Sequence, residues 1–238
     1  MPTPPCPYFT KCGGCTTQHL DYSLQIEQKR KALIQAINFS DIKTFSGKEY
    51  GYRNRMDFVF HNRGLGLRER GKWYSIVDIQ KCVISDEKIN QLLQEVQTFF
   101  TNPDAFDVRK HTGTLRYAVI RVTSIDDSSI SFVLNEDSSR LGEAVEKIKQ
   151  FALKTTAKSI MFAVVPAHTD VSRSDNSTVI KGSEYLQEQF LGKVFYFPIQ
   201  GFFQNNSQMA QKMQEYVHSL LQQYPTSSAH LLDLYGGV

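Results

Sequence analysis

Apolar residues recur at intervals of three and four along several stretches of the chain, and this spacing predicts amphipathic helices. The first helix has Asp21 as its candidate N-terminal cap, and Tyr22, Ile26, Leu33 and Ile37 form one apolar stripe along it. Such a stripe indicates a face that packs against another part of the protein. The helices predicted in this way span residues 21–39, 86–100, 141–153 and 206–224.

Strict alternation of apolar and polar residues predicts β-strands between the helices. Met56, Phe58 and Phe60 alternate with Arg55 and Asp57, so the two sets point to opposite faces of a strand. Turn signals at 62–64 and 70–71 then predict an antiparallel meander of three strands with one arginine-bearing face. Further strands are predicted at 115–123, 130–134, 159–165, 178–180 and 193–197.

The last residues differ in kind from the rest of the chain. HLLDLYGGV is an apolar run that turns into glycines, which is typical of a buried parallel strand leading into a ligand-binding loop. No helix follows to complete a βαβ unit, so we expect the sequence to stop inside a second domain. The predicted division is a first domain at 1–198 and the incomplete start of another at 199–238.

Composition and charge add little to this picture. The chain has 238 residues, of which 41% are hydrophobic and 21% charged, as expected for a globular protein. It has no apolar run of membrane-spanning length and no signal-peptide pattern, which predicts a soluble, cytoplasmic protein without a membrane partner. The net charge of +3 is too small to indicate nucleic acid by itself, but basic residues are concentrated in the first third of the chain.

The four cysteines carry the most specific chemistry. Cys6, Cys12 and Cys15 form a C-x5-C-x2-C cluster in CPYFTKCGGC, and Cys82 is the only other cysteine. In a cytosolic chain, such spacing more often indicates metal binding than disulfides, although disulfides or free buried thiols are alternatives. Zinc and an iron–sulfur cluster both suit four thiolates, and the pattern alone leaves both open.

Five segments occur in a characteristic order: CPYFTKCGGC, YRNRMDFVF, LGLRERGKWYSIVDIQKC, GFFQNN and LLDLYGGV. Together they resemble the RNA uracil-C5 methyltransferases, which use S-adenosyl-L-methionine to form 5-methyluridine, and the resemblance covers essentially the whole chain. It implies an α+β central RNA-binding domain with an antiparallel sheet and an Fe–S site. The truncated start of a Rossmann-like α/β class I methyltransferase domain would follow, with helix 21–39 packed on it.

The resemblance assigns roles to individual residues. Cys6, Cys12, Cys15 and Cys82 would bind a [4Fe-4S] cluster. Gln204 and Tyr235 match positions that contact the methyl donor, and Asp233 and Gly237 lie beside Tyr235 at the end of the last strand. The alternative for GFFQNN is that Phe202 and Phe203 belong to the core and Gln204 is a solvated loop residue.

The arginine-bearing face has two interpretations. Arg53, Arg55, Arg68 and Arg70 would bind RNA phosphates, a role that positions the RNA without reading its sequence. Alternatively they form a solvated sheet face or pair with Asp57 and Glu69. Arg121, on a later strand, has no predicted direction.

In this family a cysteine thiolate adds to uracil C6 of a flipped-out base, and a carboxylate later removes the C5 proton. All four cysteines here are assigned to the cluster, so the resemblance implies no catalytic residue in this chain, which alone is expected to be inactive. The implied RNA is 23S rRNA, with tRNA as the alternative, and no obligate protein partner is implied. A non-catalytic RNA-binding module stabilised by Fe–S or zinc is the competing hypothesis.

Overall fold

A computed structural model of the chain describes residues 2–224 together with 230, 232 and 233. The described residues form four helices, a seven-stranded sheet and a two-stranded sheet. In chain order the elements are α1 (Tyr22–Ile37), β1 (Arg55–His61), β2 (Gly64–Glu69), β3 (Lys72–Asp78), α2 (Glu87–Phe99), β4 (Leu115–Val122), β5 (Ser128–Asn135), α3 (Leu141–Ala152), β6 (Ser159–Val165), β7 (Ser177–Lys181), β8 (Tyr185–Phe190), β9 (Lys193–Pro198) and α4 (Ser207–Leu221).

The large sheet has the strand order β3-β2-β1-β4-β5-β6-β7. The predicted meander of β1, β2 and β3 is confirmed, and both of its pairings are antiparallel. The expected antiparallel sheet is nevertheless wrong as a description of the whole, because β5 and β6 pair in parallel. The physical reason is α3, which lies between these two strands in the chain and provides the crossover that a parallel pair requires.

One face of the sheet packs against α2 and α3 through an aromatic core. The ring of Phe132 on β5 lies 5.3 Å from that of Phe100 and 5.7 Å from that of Phe151, between centroids. All three side chains are almost completely buried, and burying one such side chain contributes about 1.5–3 kcal/mol. Of the two candidate caps of α2, Ser85 and Asp86, the structure selects Asp86, whose carboxylate accepts a hydrogen bond from the backbone N–H of Lys88 at 2.8 Å.

The opposite face of the sheet is covered by two irregular segments, 166–176 and 199–205. The hydroxyl of Ser172 donates to the Asp57 carboxylate on β1 at 2.7 Å, and Arg121 on β4 donates to the carbonyl of Gly201 at 2.8 Å. This is the face on which the meander carries its arginines. The fold therefore places the charged side chains of the central strands under two loops.

Helix α1 has no buried residue. It lies where the pattern predicts it, and Leu24, Leu33 and Ile37 are all more than 40% exposed. Of the predicted apolar stripe, Tyr22 and Ile26 are thus half-buried by the described residues, whereas Leu33 and Ile37 remain exposed. The packing of α1 on a methyltransferase domain stays a prediction.

Helix α4 begins at the predicted residue. The side chain of Asn206 accepts a hydrogen bond from the backbone N–H of Met209 at 3.0 Å, which caps the helix. The helix packs on the segment that follows α1, where the ring of Tyr216 lies 4.9 Å from that of Phe45. Among the described residues, no helix combines the length and apolar composition needed to cross a membrane.

Candidate functional site

All four cysteines line a single cavity of about 760 Å³. Cys82 is buried, whereas Cys6, Cys12 and Cys15 are partly exposed, and none of the four forms a disulfide. The N-terminal cluster and the distant fourth cysteine therefore line the same cavity. We refer to this space as the thiol-lined cavity.

Backbone hydrogen bonds hold the N-terminal cysteine loop on the meander. The N–H of Gly13 donates to the carbonyl of Arg68 at 3.0 Å, and the N–H of Arg70 donates to the carbonyl of Lys11 at 2.8 Å. A Cβ atom at Gly13 would lie only 3.3 Å from the Arg68 carbonyl oxygen, so glycine permits this close approach. The loop is thus bonded to the end of β2, and Tyr8, Cys12 and Cys15 pack against the main core.

Cys82 is fixed by a residue that the sequence analysis missed. Asn90 on α2 is 1% exposed, and its amide oxygen accepts a hydrogen bond from the Cys82 N–H at 2.9 Å. Its amide nitrogen donates back to the Cys82 carbonyl at 3.2 Å. The available signal was a polar residue within the apolar stripe of α2, next to Ile89.

Replacing Asn90 by alanine should destabilise the protein by about 2 kcal/mol, because it leaves the buried N–H of Cys82 without a partner and removes one of the two donors to the Cys82 carbonyl. Urea denaturation measures this difference. Gln91→Ala is the matched control, since Gln91 is the exposed neighbour on the same helix and should change stability by less than about 0.5 kcal/mol. Equal stability of the two variants would contradict the role of Asn90.

The environment of the thiol-lined cavity favours the neutral form of its cysteine thiols. Burial raises the pKa of the thiols of Cys6, Cys12 and Cys15, and the nearby Cys82 sulfur raises each pKa further. These thiols therefore stay protonated at neutral pH unless bound iron or another metal stabilises the thiolates.

The arrangement does not suit a single metal ion. Within the part of the chain that the structure describes, no three His, Cys, Asp or Glu side chains are grouped closely enough to hold one. Four thiolates around one zinc ion would each lie about 2.3 Å from it. In an iron–sulfur cluster each thiolate would bind a different iron, so the four sulfur atoms would stand further apart than they do around one zinc ion.

Two of the four predicted RNA-binding arginines are paired with carboxylates. Arg55 forms a bidentate contact with Asp57 at 3.0 and 3.1 Å, which is one of the pairings expected from the sequence. Arg68 contacts both carboxylate oxygens of Asp170 at 2.9 and 3.0 Å. Asp170 lies in the loop after β6, far from Arg68 in the sequence, so no local pattern indicated this pair.

The other two arginines bind backbone carbonyls. The side chain of Arg53 donates to the carbonyl of Arg55 at 3.0 Å, and that of Arg70 donates to the carbonyl of Cys15. All four arginines line the thiol-lined cavity. The structure therefore brings the predicted cysteine and arginine sets together.

The segment that carries Gln204 forms another wall of this cavity. The side-chain amide of Asn54 donates to the Gln204 carbonyl at 3.0 Å and to the Ser207 hydroxyl at 2.8 Å. The Gln204 side chain itself is exposed, as the alternative interpretation expected. Its backbone is therefore fixed while its amide group faces solvent.

The two phenylalanines before Gln204 have different environments. Phe203 stacks on Phe197 with 4.2 Å between ring centroids and belongs to the core. Phe202 is 66% exposed and lines the thiol-lined cavity. The core interpretation is thus confirmed for Phe203 and wrong for Phe202.

Arg121 holds the same segment from the sheet side. It is 2% exposed and donates to the carbonyls of Ile199, Gly201 and Phe203 at 3.3, 2.8 and 3.4 Å. Burial, together with the positive charge of Arg55, lowers the pKa of Arg121 to about 10, so it remains charged at neutral pH. Its direction, left open by the sequence, is towards the segment 199–203.

A buried carboxylate also holds the residues that follow this segment. Glu188 on β8 is 0% exposed and accepts hydrogen bonds from the N–H of Ser124 at 3.0 Å and from the hydroxyl of Ser207 at 2.7 Å. It therefore ties the start of α4 to the turn between β4 and β5. The sequence analysis predicted neither β8 nor this residue.

The remaining predicted cofactor residues lie at the end of the chain. Asp233 is exposed and belongs to no helix or strand. Tyr235 and Gly237 lie outside the described residues, as does most of the predicted strand 231–238. Of the predicted cofactor set, the structure therefore places only Gln204 and Asp233.

No protein-family model matches the chain. Individual proteins match it over nearly its whole length. It is 32% identical to a tRNA (uracil(54)-C(5))-methyltransferase of Pyrococcus abyssi, over 99% of this chain and 55% of that protein. An uncharacterised RNA methyltransferase of Nanoarchaeum equitans is 30% identical, over 98% of this chain and 52% of that protein.

Comparison of the fold with solved structures identifies a protein of the same kind. The crystal structure of the Pyrococcus abyssi tRNA (uracil-54, C5)-methyltransferase in complex with S-adenosyl-L-homocysteine matches with a TM-score of 0.73 and 29% identity. The match covers 90% of this chain and 52% of that one. The chain therefore spans about half the length of the curated relatives it matches, and over that half it is similar in sequence and fold to RNA uracil-C5 methyltransferases.

Proposed function

We propose that this chain is part of an S-adenosylmethionine-dependent methyltransferase that forms 5-methyluridine in RNA. The observation that carries the proposal is the convergence of four cysteines, four arginines and the GFFQNN segment on one cavity. The resemblance implies that the four cysteines share one site, whereas the sequence spacing does not indicate that the arginines and the GFFQNN segment line the same cavity. The similarity to RNA and tRNA methyltransferases supports the same conclusion.

S-Adenosylmethionine would supply an electrophilic methyl group. Gln204, Asp233, Tyr235 and Gly237 are the residues proposed to bind it. Gln204 fits this role because Asn54 fixes its backbone carbonyl while its side-chain amide stays exposed and available to a ligand. The three hydrogen bonds of Arg121 keep the preceding residues in place.

Cys6, Cys12, Cys15 and Cys82 are proposed to hold a [4Fe-4S] cluster. The support is that four free thiols line one cavity and that their order in the sequence resembles the ligand set of the family. Such a cluster would join the N-terminal loop to the residues after β3. Its role would be to stabilise this edge of the domain.

Arg53 and Arg70 are proposed as the main phosphate contacts. Both bind neutral carbonyls, so their charge remains available to an RNA phosphate. Arg55 and Arg68 contribute less, because Asp57 and Asp170 already neutralise them.

We propose tRNA as the substrate. The relatives whose names specify an RNA are tRNA (uracil(54)-C(5))-methyltransferases, including a second one from Pyrococcus horikoshii that is 29% identical over 98% of this chain. The comparisons give no support to the 23S rRNA that the sequence analysis preferred. Ribosomal RNA is therefore the second substrate to test.

Deleting the gene from its host tests the proposal. Mass spectrometry of hydrolysed RNA should show that 5-methyluridine disappears from tRNA and persists in 23S rRNA. Loss of 5-methyluridine from 23S rRNA alone would support the proposed methyltransferase activity but identify ribosomal RNA as the substrate. Unchanged 5-methyluridine in both RNAs would contradict the proposed function.

The 238-residue chain by itself is expected to transfer no methyl group, because its four cysteines are all proposed cluster ligands. Incubation of the purified chain with tritiated S-adenosylmethionine and unmodified tRNA measures this. Label at uracil C5 would contradict the expectation.

A further inference from the structure

Two neighbouring aromatic residues are exposed at the start of β3. Trp73 is 57% exposed and Tyr74 is 43% exposed, and their rings meet edge to face with 5.8 Å between centroids. Neither ring is needed by the core. Large aromatic surfaces left in water next to a functional cavity are typical of binding sites.

A cationic loop lies against this pair. The guanidinium of Arg109 lies 3.7 Å from the centre of the Tyr74 ring, a cation–π contact. Asp107 accepts hydrogen bonds from the backbone N–H groups of Arg109 and Lys110 at 2.9 and 3.1 Å, which orients the loop. We call Trp73, Tyr74 and Arg109 the aromatic platform.

The aromatic platform has two cations without an ion-pair partner among the described residues, Arg109 and its neighbour Lys110. Glu69 is paired with Lys72, Asp170 with Arg68, and Asp107 is engaged by backbone amides. An apolar protein partner would leave Arg109 and Lys110 desolvated, whereas a nucleic acid would neutralise them.

The aromatic platform is adjacent to the thiol-lined cavity. Tyr74 and Arg109 line a second cavity of about 520 Å³, and Arg68, Tyr117 and Asp170 line both cavities. In addition, the Arg68 side chain donates a hydrogen bond to the Trp73 carbonyl. An extended RNA strand that contacts Arg68 would therefore reach from one cavity to the other.

We propose that the aromatic platform binds an unpaired nucleotide of the RNA, whose strand continues across Arg68 towards the other arginines of the thiol-lined cavity. The base stacks on Trp73, and Arg109, held over Tyr74, contacts the adjacent phosphate. Exposed aromatic rings interleaved with cations bind single strands in this way, because every unpaired base offers a flat face. The inference rests on the proposed function and deepens it.

Trp73 is the only tryptophan of the chain, so the intrinsic fluorescence reports on the aromatic platform alone. The chain is titrated with a single-stranded oligonucleotide of the substrate loop and with a duplex of equal length. Anisotropy of end-labelled RNA measures binding independently. We expect the single strand to quench Trp73 with the same Kd that anisotropy gives, and the duplex to quench little.

Trp73→Ala should weaken binding of the single strand by about 5- to 150-fold, the range that one stacked base contributes. Trp73→Phe should retain most of the affinity, because it keeps a flat ring. Tyr196→Ala is the matched control: Tyr196 is 67% exposed on β9, outside the aromatic platform, and its removal should leave the affinity unchanged. Thermal denaturation checks that the variants fold.

The outcomes separate this inference from the proposed function. RNA that binds by anisotropy without quenching Trp73, and with equal affinity for Trp73→Ala, would overturn the stacking role and leave the function intact. Equal quenching by single strand and duplex would also overturn it. Absence of any RNA binding would count against both the stacking role of Trp73 and the proposed function.

Discussion

Replacing Arg121 by methionine is expected to destabilise the protein by about 3 kcal/mol and to loosen residues 199–205. Methionine fills a similar volume but donates no hydrogen bond, so the carbonyls of Ile199, Gly201 and Phe203 lose their shared partner. Each buried carbonyl without a donor costs about 1–3 kcal/mol. Removing a desolvated charge offsets part of this cost, because burial lowers the pKa of Arg121.

Urea denaturation measures the stability of the Arg121→Met variant, and hydrogen exchange with mass spectrometry locates the loosened segment. Arg116→Met is the matched control, because Arg116 lies on the same strand, is also 2% exposed and donates to the carbonyls of Pro166 and Thr169. It should lose similar stability but increase exchange at 166–170. Unchanged exchange at 199–205 in Arg121→Met would refute the anchoring role.

The second large effect concerns Cys82. Replacing it by serine is expected to abolish iron binding, because a neutral hydroxyl replaces the buried thiol that reaches the cavity from the segment after β3. Mutations of residues that only support metal ligands already cost about 10- to 100-fold in affinity, and loss of a ligand costs more. Iron and sulfide analysis of anaerobically purified protein, with its visible charge-transfer absorbance, measures the loss.

Val83→Ala is the control for this experiment, since Val83 lines the same cavity beside Cys82 and has no ligating atom. It should retain iron. Undiminished iron in Cys82→Ser, or stoichiometric zinc and no iron in the unmodified protein, would show that the cluster proposal is wrong.

Local features of the sequence were sufficient for much of the fold. Helix α2 has its cap at Asp86 and buries Ile89, Leu92 and Val96, as the pattern predicts, because capping and periodicity depend on residues within one or two turns. The stripe on α1 shows the limit of this reasoning. A hydrophobic pattern identifies the face that favours burial but not the element that covers it.

Strand β8 was missed for a physical reason. Its inward positions are Leu186, Glu188 and Phe190, and the central carboxylate interrupts the apolar alternation. Glu188 is accommodated by Ser124 and Ser207, which lie 64 and 19 residues away in the sequence. Hydrogen-bond partners so distant in the sequence cannot be identified from a local sequence pattern.

In the candidate site, too, contacts between residues close in the sequence were predictable and contacts between distant residues were not. Arg55 and Asp57 are two residues apart on one strand face, so their pairing was foreseeable from the sequence. The pairing of Arg68 with Asp170 and the support of Cys82 by Asn90 depend on the tertiary fold. The meeting of the four cysteines was expected from their resemblance to a known ligand set, and the structure supplies the backbone contacts that bring it about.

The central claim is that this cavity and the Gln204 segment serve uridine methylation in RNA. The most direct test is the 5-methyluridine content of tRNA in a deletion strain that carries the wild-type gene, Gln204→Ala, or Gln222→Ala as a control at an exposed glutamine. The wild-type gene and Gln222→Ala should restore 5-methyluridine, and Gln204→Ala should not. Full restoration by Gln204→Ala, or no loss on deletion, would contradict the claim.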